Sequence, residues 1–566
     1  MRSLYTPYVA LTLATSLFTL NAEEIAVNEE SLPKKPTQEQ NFADDKGPLI
    51  VPELKGCVLV DDKVHLPSTL TESGLHIDLK NVPGGMEGLQ ERLKPFIGKP
   101  LHQSDLDQLV AVIEGYYREN GKPIILIQIP TPQSLTKGCV QMIVRCARVG
   151  SVTVKGNKYF SSSDIRNHIK LNVGDEIDQN QLIKNLNFIN RNSFRRAKAL
   201  YTPGATECTT DVEIDVQDIK PYRFYGGTDN TGNAATGRER YFAGVNFANI
   251  FNRGHLLSYQ YTTNDFNRFN SHTAYYAAPL PWNHMLSFFG GYSSVDVTIP
   301  TTTIQSRGDS WQLSGRYTVP LYGYDSSLMT ECTFGFDFKQ TNNNVLDTTG
   351  IIKVGKTNVN LTQLYFQYLL SFYQPRRVTF FNTEIFYSPG KTLSKMAPSD
   401  YSMLRPGATA SYAYGRFSFL ELVQLNKGFE ITFNLRGQVA SNNLLPSETF
   451  GLGGYSTIRG FEERQASTDN GVIFNFELLS PSKSLFTKLA KDNLRALIFI
   501  DAGGGVNYDR QPGDGPDPWL CSVGPGLRYN ANANVVARLD WGFRIRSNTA
   551  LANGGNKLHF SFVAGF

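Results

Sequence analysis

The chain has 566 residues, too many for one ordinary globular core, so two or more domains are expected. Charged residues make up 19% and aromatics 12%, and the net charge of +4 comes with no basic block suited to nucleic acid. Past the N-terminus there is no apolar run of the roughly eighteen residues that a membrane helix needs, which excludes helical spans but not spanning strands.

Residues 1–22 read as a secretory signal: Arg2 gives a positive start, Val9–Phe18 is a short apolar run, and Ala22 precedes Glu23 and Glu24. Residues 23–55 mix Pro, Gln, Asn and both charges without periodicity, and read as a flexible lead-in. From Gly56 the order is strand, helix, helix, strand, strand. Helical spacing links Leu89, Leu93 and Phe96, then Leu106, Leu109, Val110 and Ile113, with Ser104 as the expected N-cap and Gly121 as the stop. Ile124–Ile129 and Val140–Val144 are short apolar runs that predict strands. The plan then repeats, with a strand at Val149–Val154, helices at Asp164–Lys170 and Asp178–Arg191, and a closing strand at Asp211–Val216. Two adjacent α+β modules follow from this, at 56–147 and 148–219.

After Lys220-Pro221 the period changes to two. In Phe429–Gly437 the apolar set Phe429, Ile431, Phe433 and Leu435 opposes Glu430, Thr432, Asn434 and Arg436. In Leu494–Gly503 the set Leu494, Ala496, Ile498, Ile500 and Ala502 suits lipid, which turns Asp501 inward with Arg495, Leu497, Phe499 and Gly503. Alternation alone does not separate a sandwich from a membrane barrel. The chain, however, ends inside a strand on Phe566, an aggregation-prone edge unless that strand seals a closed sheet. Residues 220–566 therefore predict a transmembrane antiparallel barrel, with room for about sixteen strands at roughly ten residues each plus turns. One connection, Ser441–Gly471, is far longer than a turn, and a loop of such length is usually functional or disordered. It carries Gly453, Gly454, Ile458, Arg459, Gly460 and Phe461.

Enzyme chemistry has no support, since GxSxG and HExxH are absent and the eight histidines show no metal-ligand spacing. No cofactor or metal is expected. The six cysteines include no CxxC pair, and their connectivity is left open.

Several stretches together resemble one family. Pro221-Tyr-Arg-Phe-Tyr-Gly-Gly-Thr-Asp229-Asn230-Thr-Gly232, Thr236-Gly237-Arg238, Asn249-Ile-Phe251 and Pro279-Leu-Pro-Trp282 resemble the start of the barrel in two-partner-secretion transporters, the hemolysin secretion/activation or TpsB proteins. Ile458-Arg459-Gly460-Phe461 resembles their Val-Arg-Gly-Tyr/Phe motif, with Ile in place of Val. Phe499-Ile-Asp501-Ala-Gly503 resembles their Phe-x-Asp-x-Gly strand motif, and Phe566 their outer-membrane assembly signal. The resemblance implies two periplasmic POTRA modules, a sixteen-stranded barrel in bacterial outer-membrane lipid, and a hairpin folded into the lumen whose Arg459 meets Asp501. It also implies export of a large secreted protein partner, assembly with help from the barrel-assembly machinery, and no nucleic acid. Some members plug the pore with an N-terminal helix, but residues 23–55 lack the amphipathic spacing for one.

The rivals are a barrel-assembly insertase of the same superfamily, a diffusion porin, and a soluble adhesin sandwich. Insertases usually carry more modules, and a porin needs none. Passage is expected to be driven by folding of the partner outside the cell, with no nucleotide motif.

Overall fold

A computed structural model describes residues 47–566 apart from 63–72, 131–132, 134, 136, 233–236, 265, 267, 299–303, 323–326, 348–352, 487–491, 513, 533 and 549–553. The signal, the lead-in up to residue 46 and Thr236 of the barrel-start motif lie outside the described residues. The chain divides into two compact units between Ile219 and Lys220.

The first module contains β1 (Leu49–Val51), β2 (Gly56–Val60), β3 (Gly74–Asp78), α1 (Met86–Leu93), β4 (Leu101–His102), α2 (Gln103–Glu119), β5 (Ile125–Gln128) and β6 (Cys139–Cys146). Its sheet order is β3-β2-β6-β5, with β2 parallel to both neighbours and buried throughout. Alternation on β2 sends Cys57 and Leu59 into the core with Leu89, Leu109 and Ile113 of the helices. Val58 and Val60 meet Ile143 on the other face. The module begins earlier than residue 56. β1 pairs with β4, and Val51 and Leu54 are buried in the same core, so apolar side chains in a Pro- and Lys-rich stretch are recruited by a distant helix start.

The expected Ser104 cap is also corrected. His102 is the N-cap of α2, and the Asp105 carboxylate accepts from its backbone N–H at 2.9 Å and lies 3.1 Å from its ring Nδ1. This reciprocal arrangement moves the helix start forward.

The second module holds β7 (Arg148–Lys155), α3 (Ser162–His168), α4 (Gln179–Ile189), β8 (Arg195–Pro203) and β9 (Thr209–Asp218), in sheet order β7-β9-β8. Strand β8 has no counterpart in the sequence reading, because its first inward position is filled by Arg195 rather than an aliphatic residue and the next by the small Ala197. That side chain is 2% exposed, 3.6 Å from Asp164, and stacks over Phe160 at 5.0 Å. The modules are joined by the Lys122–Glu176 ion pair at 2.7 Å and by the Gln179 N–H donating to the Gly121 carbonyl at 3.0 Å.

The second unit is a closed sixteen-strand antiparallel barrel. Its first eight strands are β10 (Tyr222–Asp229), β11 (Arg240–Ile250), β12 (His255–Thr263), β13 (Phe269–Pro279), β14 (Met285–Thr298), β15 (Ile304–Tyr322), β16 (Leu328–Asp347) and β17 (Lys353–Gln374). β18 (Arg377–Pro389), α5 (Pro398–Leu404), β19 (Ser411–Gln424) and β20 (Glu430–Ala440) follow. A two-strand ribbon, β21 (Phe450–Leu452) and β22 (Ala466–Thr468), stands apart from the ring. β23 (Asn470–Leu479), β24 (Asp492–Val506), β25 (Trp519–Ala531), β26 (Val535–Ser547) and β27 (Asn556–Gly565) complete it. β27 pairs with β10 from Tyr225 opposite Gly565 to Asp229 opposite Ser561, and Phe224 and Phe566 exchange backbone hydrogen bonds at 3.1 and 2.8 Å. The terminal strand is thus sealed, as the sequence reading requires.

On β12, Ser258, Gln260 and Thr262 are buried inside while Tyr259 is exposed outside. On β24, Ile498 and Ile500 are exposed at 60% and 47%, and Phe499 and Asp501 are buried. A wet-inside, apolar-outside wall of this kind matches a lipid-embedded cylinder.

The string Gly350-Ile-Ile-Lys-Val-Gly355-Lys356-Thr357 does match the nucleotide pattern GxxxxGK[ST], so the expectation of no such motif is corrected at the level of the string. Its residues from Lys353 onward open β17, which runs on as a barrel strand to Gln374. A phosphate loop needs a helix N-terminus behind it, and here a strand follows.

Candidate functional site

The long connection between β20 and β23 folds back as a hairpin, stiffened by the β21–β22 ribbon. Below the ribbon Gly453 and Gly454 both adopt positive φ, at 93° and 120°, and Gly454 donates its N–H to the Ile458 carbonyl at 3.0 Å. That tight turn presents Arg459 to the inner wall.

Arg459 is almost wholly buried. Its Nε and Nη2 donate to the two carboxylate oxygens of Asp501 on β24 at 2.7 and 2.8 Å, and its backbone N–H adds a third bond to Asp501 at 3.0 Å. The guanidinium lies 3.5 Å over the Phe499 ring, so Phe499 and Asp501 of the β24 motif both grip it. Nη1 is bonded to Glu477 of β23 and lies 3.6 Å from Asp540 of β26. Arg528 donates to Asp540 at 2.7 Å and Arg538 at 2.6 Å. Three guanidiniums and three carboxylates, one from the hairpin tip and five from the wall, therefore neutralise one another. Buried charges persist only when paired in this way. Asn475 completes Asp501 with a bond of 2.8 Å.

Gly460, at φ 89°, is pressed against the backbone of Gly542, and a Cβ on it would stand 3.0 Å from that residue's carbonyl carbon. Its N–H donates to His559 Nε2 at 3.0 Å, and its carbonyl accepts from Arg544 at 2.7 Å. Ile458 and Phe461 are fully buried with Phe450, Leu452, Ile473 and Leu520. Gly503 leaves room for Ile458, whose Cδ1 a Cβ there would meet at 2.9 Å. The structure thus brings Ile458, Arg459, Gly460, Phe461, Phe499, Asp501 and Gly503 to one site. Phe566 lies elsewhere, at the β10–β27 seam, with its side chain exposed.

Sequence reasoning missed Glu477 and Arg528. Arg538 and Asp540 carried a signal, since alternation on β26 places both on the inner face, but their partners depend on cross-strand register.

Comparison with known proteins places this geometry. Residues 209–529, more than half the chain, match the family model described as haemolysin secretion/activation protein ShlB/FhaC/HecB. Residues 81–145 match the POTRA domain of ShlB type, and 147–218 match a POTRA model described as a surface antigen variable number repeat. The heme/hemopexin transporter protein HuxB of Haemophilus influenzae is 23% identical over 479 residues, covering 82% of each chain. Solved structures of CdiB from Escherichia coli and from Acinetobacter baumannii share the fold, with TM-scores of 0.75 and 0.64, 16% identity, and all of each chain covered. With the match running from the last module strand into the fourteenth strand of the barrel, this chain belongs to the haemolysin secretion/activation family, the outer-membrane translocators of two-partner secretion with periplasmic POTRA modules.

Proposed function

We propose that the cargo of this translocator is a large secreted protein that arrives unfolded, adds as a strand to a module edge, and passes a lumen governed by the Arg459 hairpin. The observation that carries this reading is the hairpin tip lying inside the barrel, with Arg459 bound to Asp501 on the wall.

Among the described residues the module sheets have edge strands paired along one side only, β3 and β5 in the first and β7 and β8 in the second, and such edges suit an extended peptide. Folding of the cargo outside the cell then supplies the drive. Phe566, outward at the seam, serves as the signal read by the barrel-assembly machinery, and the exposed apolar faces meet outer-membrane lipid. Two modules rather than a longer array favour secretion over barrel insertion.

Deleting residues 47–147, the whole first module including β1, is expected to abolish binding of the unfolded partner in a pull-down. Retained binding excludes the first module as the receptor.

A further inference from the structure

The hairpin is fastened to the wall at a second place. Glu448, in its descending limb, is 1% exposed. Both of its carboxylate oxygens lie 3.0 Å from Lys339 Nζ on β16. The Tyr414 hydroxyl on β19 donates to it at 2.6 Å, and Gln363 Nε2 on β17 at 3.0 Å. Its backbone carbonyl accepts from Arg416 and Gln438, each at 3.1 Å. In the ring of strands β16 stands seventh and β24, which holds Arg459 through Asp501, thirteenth, six strands apart. Arg459 is bonded to Asp501 on β24 while Glu448 holds Lys339 on β16, so the twelve residues from 448 to 459 tie two separate stretches of the wall together.

Beside Glu448 the hairpin buries Leu444 and Leu445 against Met396 and Tyr401 of the β18–β19 connection. That connection is tied down by Arg405, which forks onto Asp469 at the foot of the hairpin with bonds of 2.5 and 2.8 Å. The apolar contacts supply adhesion, and the ion pair supplies reversibility. A buried Lys–Glu pair gives up hydration to form and regains it on parting, so it roughly breaks even against water and separates more readily than an apolar contact of equal size.

We propose that Glu448 and Lys339 form a releasable catch that keeps the hairpin folded inside the lumen and the resting channel closed to ions. Glu448 is a positioning residue in this scheme. The inference rests on the channel reading above, but its readout is ion leak without any partner, so a failure to export and a failure of the catch are separately visible.

The test is the open-time fraction of full-length protein in planar bilayers, for wild type, Glu448→Gln, Glu448→Lys, Lys339→Glu and the exchanged double variant, each checked for heat-modifiable migration. Each single variant is expected to raise the open fraction about tenfold, and the exchanged pair to return it to within about threefold of wild type. Wild-type leak in Glu448→Gln overturns the proposal. So does an exchanged pair as leaky as its assembled parents, because that pattern marks general loss of packing. Should a charge-reversed variant not assemble, Glu448→Gln decides alone by the same criterion.

Discussion

Arg459 and Asp501 lie 42 residues apart in sequence and are joined by two parallel side-chain bonds of 2.7 and 2.8 Å, in a pocket from which both are excluded from solvent. A lysine keeps the charge there but not the planar fork. Arg459→Lys is therefore expected to loosen the hairpin, seen as cleavage of residues 441–469 by protease at several times the wild-type rate. Unchanged cleavage would mean that charge alone holds the tip.

Close backbone contact is a separate requirement. A Cβ on Gly542 would collide with the backbone N of Gly460, so one of the two main chains has to shift. Gly542→Ala is expected to destabilise the docked hairpin by about 1–3 kcal/mol, the usual range for overpacking. Gly290→Ala on β14 meets nothing within 4 Å and is expected to be neutral in the same thermal-shift and proteolysis assays.

Two outward residues test the membrane setting. Ile498 is 60% exposed on the barrel's outer face, where arginine would be harmless in water but costs about 2–4 kcal/mol at a bilayer midplane. Ile498→Arg is expected to lower the heat-modifiable fraction, as is deletion of Phe566, which removes the bonds exchanged with Phe224. Normal assembly of both variants would contradict a lipid-embedded wall closed at the β10–β27 seam.

In the first module, burial first and the neighbouring Cys139 second push the Cys57 thiol up to about 12 from 9.0. Its folded value exceeds the unfolded one, so the stability linked to it is complete below about 9 and is lost as pH rises through about 12. At pH 8.5 a maleimide is expected to label the half-buried Cys208 and spare Cys57, read by mass spectrometry. Comparable labelling of both would show that the module core is open.

Much of this architecture is legible along the chain because barrel walls repeat with period two. That period alone turns Asp501, Arg538 and Asp540 inward. The hairpin is visible as a connection too long for a turn. Arg195 hides β8, since an inward arginine breaks apolar alternation and is recognisable only beside Asp164 and Phe160. Glu448 gives no local signal at all, because its partners on β16, β17 and β19 lie 109, 85 and 34 residues away. The early start of the first module is hidden for the same reason: β1 finds its partner half a module later.

The most direct measurement is the rate at which assembled Arg459→Ala and Asp501→Ala barrels release the partner protein into the medium. Arg459→Ala leaves Asp501 buried without its cation, a loss of about 3–5 kcal/mol in local terms, and Asp501→Ala strips Arg459 of its bidentate partner, leaving Glu477 and Asp540; each is expected to cut release at least about tenfold while heat-modifiable migration persists. Release at the wild-type rate by both variants would contradict the account.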